Sequence, residues 1–179
     1  MPDPTLLIRP SRDADLGAIT RIYGHAVAHG TGTFETAPPG EAEIARRRAD
    51  VLERGLPWLV AERGATVLGY AYAGAFRPRP AYRHCVEDSI YLDASARGHG
   101  VGRLLLAELL ARCEAWGVRQ VLAVIGDSAN AGSIGVHRAC GFEPAGVLGA
   151  VGWKFDRWLD VVIMQRALGP GDATPPRGD

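Results

Sequence analysis

The sequence has no excess of charge of either sign. Lysine and arginine total 20 residues, aspartate and glutamate total 20, and the formal net charge is zero. Nucleic-acid binding and polybasic membrane contacts need a basic excess, so we expect neither a nucleic-acid partner nor a membrane partner. No apolar run approaches the roughly 20 residues of a membrane-spanning helix. Residues 1–4 have neither the basic nor the apolar part of a signal peptide, which favours a cytoplasmic location.

Cysteine is scarce. The three cysteines, Cys85, Cys113 and Cys140, are odd in number and lie far apart in the chain. Their spacing matches neither a disulfide framework nor a set of metal ligands, so we expect reduced thiols and no metal cofactor.

The length and patterning predict one α/β domain. A chain of 179 residues with 47% hydrophobic content can bury one sizeable core. Apolar periodicity and turn residues predict strands at 6–9, 58–62, 67–75, 86–92, 120–125, from 142 onward and at 158–166, with helices at 16–27, 41–54, 103–116 and 130–140. We assign 1–168 to a single domain; 169–179 is rich in glycine, proline and charge, which predicts a disordered tail.

A glycine-rich segment, Arg97-Gly98-His99-Gly100-Val101-Gly102, stands between a predicted strand and a predicted helix. Glycines let the backbone approach a ligand, and the first turn of a helix offers free N–H groups and partial positive charge. The segment is therefore a candidate phosphate site, although a tight turn with close helix packing would use the same residues. No Gly-Lys-Ser/Thr follows, which excludes a P-loop. A dinucleotide site would need an acidic residue ending the strand at 120–125, which has none.

Arg97-x-x-Gly100-x-Gly102 fits the Q/R-x-x-G-x-G/A loop that holds the pyrophosphate of coenzyme A, and here the sequence resembles the GNAT superfamily of N-acetyltransferases. Asn130, His137 and Gly141-Phe142 follow the family order Asn…Tyr…Gly-Phe, with histidine in the tyrosine place. The chain is similar to the phosphinothricin and L-methionine sulfoximine acetyltransferase group over about residues 6–168. Thr33-Phe34-Glu35 and residues 76–83, 86–91, 123–126 and 152–160 carry this likeness. Asp156 replaces an expected glycine, and Leu92-Asp93 stands where the family often has valine and another residue.

The resemblance implies a GNAT fold, with a mixed, largely antiparallel sheet flanked by helices and splayed between the strands at 86–92 and 120–125. It also implies acetyl-CoA as the acetyl donor, a cofactor arm that pairs with main-chain groups of Ile90 and Leu92, and a homodimer. The cofactor-binding residues that it implies are Ile90, Tyr91, Leu92, Arg97, Gly98, His99, Gly100, Val101, Gly102, Arg103, Asn130 and Ser133.

Acetyl transfer to an amine needs a base, because an α-amino group with a pKa of about 7.7–8.0 is mostly protonated near neutral pH. Strand alternation puts Glu87, Ser89 and Tyr91 on one face of the strand at 86–92 and Asp88 on the other. Burial of a carboxylate in an apolar strand would raise its pKa towards that of a usable base. Glu87 is either this base or a structural carboxylate paired with an arginine at 77 or 83. The resemblance favours the base, with Asp88 as the second candidate.

Asn130, Ser133 and His137 lie on one stripe of a short predicted helix. A histidine on a helix is often simply packed. The GNAT pattern has a tyrosine here near the cofactor sulfur, which makes His137 a candidate general acid for the leaving thiolate. Asn130 would either bind the cofactor arm or cap its helix.

Three arginines, Arg77, Arg79 and Arg83, share a loop stiffened by two prolines. Arginine binds carboxylates in a bidentate manner, so the loop suits a free amino acid, although each arginine alone could be simply solvated. Phe34 and Tyr82 either close over an aliphatic side chain or belong to the core. The candidate substrate-binding residues are Phe34, Arg77, Arg79, Tyr82, Glu87, Asp88 and Ser89. No role is assigned to Trp153, Lys154, Trp158 or Asp160.

Together these residues predict direct, acetyl-CoA-dependent N-acetylation of a small amino acid or analogue, such as L-methionine sulfoximine, methionine sulfone or phosphinothricin. The arginine loop would contact the tetrahedral sulfur or phosphorus group of such an analogue. Three alternatives stay open: a protein or peptide N-terminus as acceptor, a catalytically silent CoA-binding module, and dinucleotide binding.

Overall fold

The computed structural model describes residues 6–176, which form one seven-stranded sheet and four α-helices. In chain order the elements are β1 (Leu6–Pro10), α1 (Leu16–His29), α2 (Glu41–Glu53), β2 (Trp58–Arg63), β3 (Thr66–Ala75), β4 (Cys85–Leu92), α3 (Val101–Trp116), β5 (Gln120–Gly126), α4 (Ala131–Ala139), β6 (Glu143–Lys154) and β7 (Arg157–Ala167). Helix α3 begins inside the glycine-rich segment, two residues earlier than its apolar pattern predicts.

The strand order in the sheet is β1-β2-β3-β4-β5-β7-β6. Neighbouring strands are antiparallel except for β4 and β5, which are parallel. The prediction of an α/β fold with a mixed, largely antiparallel sheet is confirmed.

Strands β4 and β5 diverge, as expected. Their pairing runs from Cys85 with Gln120 to Asp88 with Ala123, although β4 continues for four residues more. On its other side β4 stays paired with β3 as far as Leu92. The backbone of β4 beyond Asp88 therefore has a strand partner on one side only.

The two faces of β4 carry different helices. A Cβ added at Gly102 of α3 would lie 3.1 Å from the side chain of Leu92. Tyr91 points to the opposite face by alternation, and its ring packs edge-on against Tyr23 of α1 with 4.9 Å between centroids. Helix α3 therefore covers one face of the sheet and α1 the other. The buried side chains of these helices that complete the core are Ile19, Ile22, Val27, Leu105, Leu106, Leu109, Leu110 and Cys113.

The turn between β6 and β7 explains one departure from the family pattern. Phe155 and Asp156 have φ angles of 52° and 55°, the left-handed pair of a two-residue hairpin turn. Aspartate tolerates this conformation better than most residues other than glycine, so Asp156 can replace the expected glycine.

The segment at 169–179 lies partly within the described residues. Arg119 donates hydrogen bonds to the carbonyl oxygens of Gly171 at 2.8 Å and Pro175 at 2.9 Å. Residues 177–179 lie outside the described part. Disorder of this tail stays a prediction, as does the assignment of residues 1–168 to one domain. Between residues 6 and 176 no helix is long and apolar enough to cross a membrane.

Candidate functional site

A cavity of about 490 Å³ opens where β4 and β5 diverge, and we call it the β4–β5 cavity. The last turn of α1 and the starts of α3 and α4 complete its walls. The predicted cofactor residues that line it are Ile90, Tyr91, Leu92, Arg97, Gly98, Gly102, Asn130 and Ser133. Val101 is instead buried in the core, while His99, Gly100 and Arg103 are exposed outside the lining.

The glycine-rich segment forms a cradle at the start of α3. Gly98 and Gly100 both have φ of 77°, and a Cβ added at either would meet no atom within 4 Å. Their conformation requires glycine, and the space beside them is open to a ligand. Gly102 allows α3 to approach Leu92 of β4 closely. The free N–H groups of the first helical turn therefore open next to the β4–β5 cavity, as a pyrophosphate site requires.

Glu87 is half-buried on the α1 face of β4. Burial and the negative charge of Asp88 raise the pKa of Glu87, and the positive charge of Arg77 opposes that shift. The aromatic rings that cluster on this face are those of Tyr23, Trp58, Tyr70, Tyr72 and Tyr91. A half-buried carboxyl group with a raised pKa has the property that a general base near neutral pH needs.

Asp88 and His137 are buried together on the α3 face of β4. Nε2 of His137 lies 2.9 Å from Oδ2 of Asp88, and Nδ1 donates to the carbonyl oxygen of Ser133 at 2.7 Å. Burial acts to lower the pKa of His137, but the hydrogen bonds to Asp88 and Ser133 and the charge of Asp88 outweigh it and raise the pKa. Both residues also line the β4–β5 cavity. His137 is therefore held at both ring nitrogens rather than simply packed.

Asn130 caps helix α4. Its side-chain oxygen accepts a hydrogen bond from the N–H of Ser133 at 3.2 Å, and its amide nitrogen donates to the carbonyl oxygen of Gly126 at 3.4 Å. The capping interpretation of Asn130 is thus the one seen in the structure. Contact of Asn130 and Ser133 with a cofactor stays a prediction.

Phe34 lies between the ends of β5 and β6. A Cβ added at Gly152 would overlap its ring, and one added at Gly126 would overlap the carbonyl oxygen of Thr31 and come within 2.9 Å of the ring. Gly152 therefore makes room for Phe34, and Gly126 makes room for the backbone of Thr31 and for the same ring. The contact of Phe34 with a substrate stays a prediction.

Lys154 is the single lysine of the chain, and it is buried at the end of β6. Its Nζ donates to the carbonyl oxygens of Gly30 at 2.8 Å and Thr33 at 2.9 Å. Burial lowers the pKa of Lys154, against the charge of Glu35. Sequence reasoning assigned Lys154 no role, although its being the single lysine of the chain was a usable signal. Its contacts tie β6 to the segment that follows α1.

A second network holds the same segment from the other side. The hydroxyl of Tyr23 lies 2.9 Å from Oγ1 of Thr33 and donates to Glu35 at 2.7 Å. Arg47 of α2 pairs with Glu35 at 2.5 Å. Burial is the main cause that raises the pKa of Tyr23 to about 12, so its hydroxyl stays protonated and available as a donor.

The arginine loop lies outside the β4–β5 cavity. Arg77, Arg79 and Tyr82 are exposed, and none of them lines it. The guanidinium of Arg77 stacks 5.1 Å from the ring centroid of Phe76. Through its charge Arg77 still acts on Glu87.

Of the other candidate substrate residues, Asp88 and Ser89 line the cavity, and the roles of Arg79 and Tyr82 stay predictions.

Several residues that line the cavity escaped the sequence analysis. His25 and His29, one turn apart in α1, have ring centroids 4.7 Å apart. Asp127 has a left-handed φ of 72° and pairs with Arg157 at 2.7 Å. Its position directly after an apolar parallel strand was a usable signal, because ligands bind at the carboxyl ends of such strands.

The three cysteines are free and poorly suited to act as nucleophiles. Burial raises the pKa of Cys85, of Cys140 and of Cys113, the last to about 12, so the thiolate forms are scarce at neutral pH. Within residues 6–176 no group of three or more His, Cys, Asp or Glu side chains could hold a metal ion.

Known proteins match this chain over nearly its whole length. The model of the acetyltransferase (GNAT) family matches residues 19–142. The phosphinothricin N-acetyltransferase of Alcaligenes faecalis is 56% identical, over 94% of this chain and 86% of the relative. The L-methionine sulfoximine/L-methionine sulfone acetyltransferase of Pseudomonas paraeruginosa is 42% identical, over 94% and 98%. The crystal structure of a phosphinothricin acetyltransferase from Sinorhizobium meliloti in complex with acetyl-CoA has a TM-score of 0.92 and 53% identity, over 96% of this chain and 93% of that one.

Proposed function

The chain belongs to the acetyltransferase (GNAT) family, and we propose that it transfers the acetyl group of acetyl-CoA to the amino group of a small amino acid or analogue. The acceptors proposed are phosphinothricin, L-methionine sulfoximine and methionine sulfone, which the names of its relatives point to. The observation that carries the proposal is the 56% identity with a phosphinothricin N-acetyltransferase over 94% of the chain.

The walls of the β4–β5 cavity fit acetyl-CoA, which supplies an activated thioester when bound. The cradle at Gly98 and Gly100 suits the pyrophosphate, and the guanidinium of Arg97 adds positive charge beside it. Main-chain groups of β4 from Ile90 to Leu92 have no partner on the β5 side, so they can pair with the amides of the cofactor arm. For cofactor binding, the side chains of Ile90 and Leu92 then matter less than their main-chain groups.

Glu87 is the proposed base. An α-amino group with a pKa of about 7.7–8.0 must lose a proton before it attacks, and a positioned base contributes roughly 10²–10⁴ in rate. The raised pKa of Glu87 brings its affinity for protons closer to that of the amine. Asp88, the second candidate, is committed to a hydrogen bond with His137 on the other face, which favours Glu87.

His137 is proposed as the source of the proton that the leaving sulfur takes up. It lines the β4–β5 cavity, across β4 from Glu87. Base and acid on opposite faces of one strand suit direct transfer from thioester to amine. The scarcity of thiolate at all three cysteines argues against an acyl-cysteine intermediate.

A free amino acid suits the surroundings of Glu87. It carries a carboxylate next to its amine, and Arg77 is the cation whose charge acts on Glu87. Arg77 would bind the acceptor carboxylate while Glu87 takes the proton of the amine. Arg79, Tyr82 and Phe34 would then contact the acceptor side chain.

A second copy of the chain is the proposed partner. Strand β6 is an edge of the sheet, so one row of its backbone groups has no strand partner. The β6–β7 hairpin carries an apolar patch whose residues are all more than half exposed: Val147, Leu148, Val151, Trp153 and Trp158. Apolar patches of this kind mark interaction surfaces.

A cytoplasmic location and the lack of nucleic-acid and membrane partners belong to the same proposal. The free thiols suit a reducing compartment, and the sequence has no excess of basic residues.

Thiol release from acetyl-CoA tests the proposed acceptor class. Phosphinothricin, L-methionine sulfoximine, methionine sulfone, methionine and a short peptide serve as acceptors, with mass spectrometry of the products. The proposal expects fast release with the tetrahedral analogues and little with the peptide. Release with the peptide alone would transfer the assignment to a protein N-terminus. No release with any acceptor would contradict the proposal.

A further inference from the structure

We propose that Asp88 is a positioning residue that keeps His137 doubly protonated, so that the pair stores the proton which the leaving sulfur needs. The role of this proton in acetyl transfer rests on the proposed function. The protonation state of the Asp88–His137 pair is a property of the ligand-free protein.

The hydrogen-bond geometry requires a proton between the two residues. The carbonyl oxygen of Ser133 can only accept, so Nδ1 of His137, 2.7 Å away, carries a hydrogen. Nε2 faces a carboxyl oxygen of Asp88 at 2.9 Å. If His137 were neutral and Asp88 ionised, two lone pairs would face each other at this distance. One further proton must therefore lie between Nε2 and Oδ2.

The surroundings favour the proton on the imidazole. The side chains of His137 and Asp88 are 3% and 1% exposed, so an unpaired charge at either would be costly. The ionisable groups around them are Cys113 of α3, Cys140 beyond α4 and Glu87 of β4. Burial is the main cause that raises the pKa of each, and the charge of Asp88 adds to it. The two thiols therefore stay neutral. The charges of Arg103 and Arg166 act on Cys140, whereas His137 is the partner hydrogen-bonded to Asp88. The raised pKa of His137 agrees with an imidazolium–carboxylate pair.

One carboxylate oxygen of Asp88, Oδ1, has no hydrogen-bond donor among the described residues. This oxygen is buried, and Asp88 itself lines the β4–β5 cavity. A carboxylate that only supported the fold would gain from a donor at both oxygens. Oδ1 instead remains able to accept one further hydrogen bond.

As the acceptor nitrogen forms its bond to the acetyl carbon, the C–S bond breaks and the electron pair stays on sulfur. The hydrogen bond from Nε2 of His137 to Asp88 breaks as the Nε2 proton passes to that sulfur, and His137 becomes neutral with Nδ1–H still bound to Ser133. The acceptor ammonium loses two protons in forming the amide; Glu87 passes these to water, and water returns one to His137. Asp88 stays ionised, and its repulsion of the bare Nε2 lone pair favours that return.

NMR of ¹³C-histidine-labelled, ligand-free protein tests the pair. The His137 ε1 signal is identified by its loss in His137→Gln. We expect it to titrate above the ordinary value of 6.5 in the wild type. In Asp88→Asn burial remains but the charge is gone, and the amide can donate to Nε2 of a neutral ring. The midpoint should then fall below 6.5, a change of about one pH unit or more.

Kinetics separate positioning from a merely structural role. We expect Asp88→Asn to lower kcat at least about tenfold, with little change in KM for acetyl-CoA, because one pH unit is tenfold in proton occupancy. The alkaline limb of kcat should move to lower pH by the same amount as the NMR midpoint. Asp88→Glu, which restores the charge, should recover part of kcat and a midpoint above 6.5.

Three results would overturn the inference. They are a wild-type midpoint below 6.5, the same midpoint in wild type and Asp88→Asn, or a shifted midpoint with an unchanged kcat profile. If Asp88→Asn does not fold, the wild-type titration and Asp88→Glu decide. Failure of the proposed function is distinguishable, because wild type would then release no thiol with any acceptor while the NMR titration still reports on the pair.

Discussion

Glu87 and Asp88 are neighbours in the chain with opposite surroundings. Glu87 lies half-buried beside the aromatic cluster on the α1 face, and Asp88 is buried against His137 on the α3 face. Because successive side chains of a strand point to opposite faces, two adjacent carboxylates can serve the two ends of one reaction. In the proposed mechanism Glu87 removes a proton from the acceptor amine, and Asp88 holds the proton of His137 in place for the sulfur. The β4–β5 pairing ends at Asp88, directly after Glu87.

Gly152 makes room for Phe34, so Gly152→Ala should displace that ring. Overpacking of this kind costs about 1–3 kcal/mol, which we expect as a loss in the free energy of unfolding measured in urea. KM for the acceptor should rise more than KM for acetyl-CoA, because Phe34 is proposed to contact the acceptor.

Gly149→Ala on the same strand is the matched control. A Cβ added there meets no atom within 4 Å, so the free energy of unfolding should change by no more than about 0.5 kcal/mol. Equal losses in the two variants would show that strand glycines matter for backbone freedom and not for Phe34.

The segment between α1 and α2 has little regular structure of its own and is held by its neighbours. Lys154 of β6 binds two of its carbonyl groups, and Tyr23 and Arg47 hold Glu35 from the helices. Part of the segment lines the β4–β5 cavity, so the β6–β7 hairpin shapes the site without itself lining the cavity.

Lys154→Met should loosen this segment. The carbonyl groups of Gly30 and Thr33 would lose their donor, and leaving buried acceptors unpaired costs about 1–3 kcal/mol. We expect faster amide hydrogen exchange in residues 30–35 and a higher KM for the acceptor. Arg54→Met, which removes an exposed cation from the end of α2, is the control and should change neither.

The pKa of Lys154 can be read from one signal, because selective ¹³C-lysine labelling marks a single residue. Its midpoint should lie below the ordinary 10.5, owing to burial. A midpoint at 10.5 would mean that the ammonium is solvated and that the segment is not held by it.

Local rules made the glycine cradle and the two faces of β4 predictable. The glycines at the start of a helix predicted a close backbone approach to a phosphate, and strand alternation placed Glu87 and Asp88 on opposite faces. The splay between β4 and β5 followed from the family resemblance and not from any local pattern. Asp88 and His137 are 49 residues apart, so their pairing depends on how α4 packs on the sheet. The contacts of Lys154 could not be predicted from the sequence either, because they join positions more than 120 residues apart.

The whole molecule separates its tasks between the two faces of one sheet. The cofactor cradle, Asp88 and His137 lie with α3 and α4, whereas Glu87 and the aromatic cluster lie with α1. The apolar patch on β6–β7 stands at the edge of the sheet, where a second copy is proposed to bind.

Trp158→Arg should weaken dimer formation, because it places a charge in the centre of the apolar patch. Sedimentation velocity at micromolar concentration should show a dimer for the wild type and a larger monomer fraction for the variant. Trp116→Arg is the control, since Trp116 is also about half exposed but lies at the end of α3. A wild type that sediments as a monomer would contradict the proposed partner.

The pH dependence of kcat for wild type and Glu87→Gln, with saturating acetyl-CoA and phosphinothricin, tests whether β4 supplies the base for direct transfer. In the wild type kcat should fall as Glu87 is protonated, with an acid midpoint above the ordinary 4.5. The kcat of Glu87→Gln should be lower by a factor of roughly 10²–10⁴, and its decrease at low pH, the acid limb of the profile, should be lost. The variant should still bind acetyl-CoA. A variant that keeps kcat within tenfold of the wild type, with the same acid limb, would contradict the assignment of Glu87 as the base.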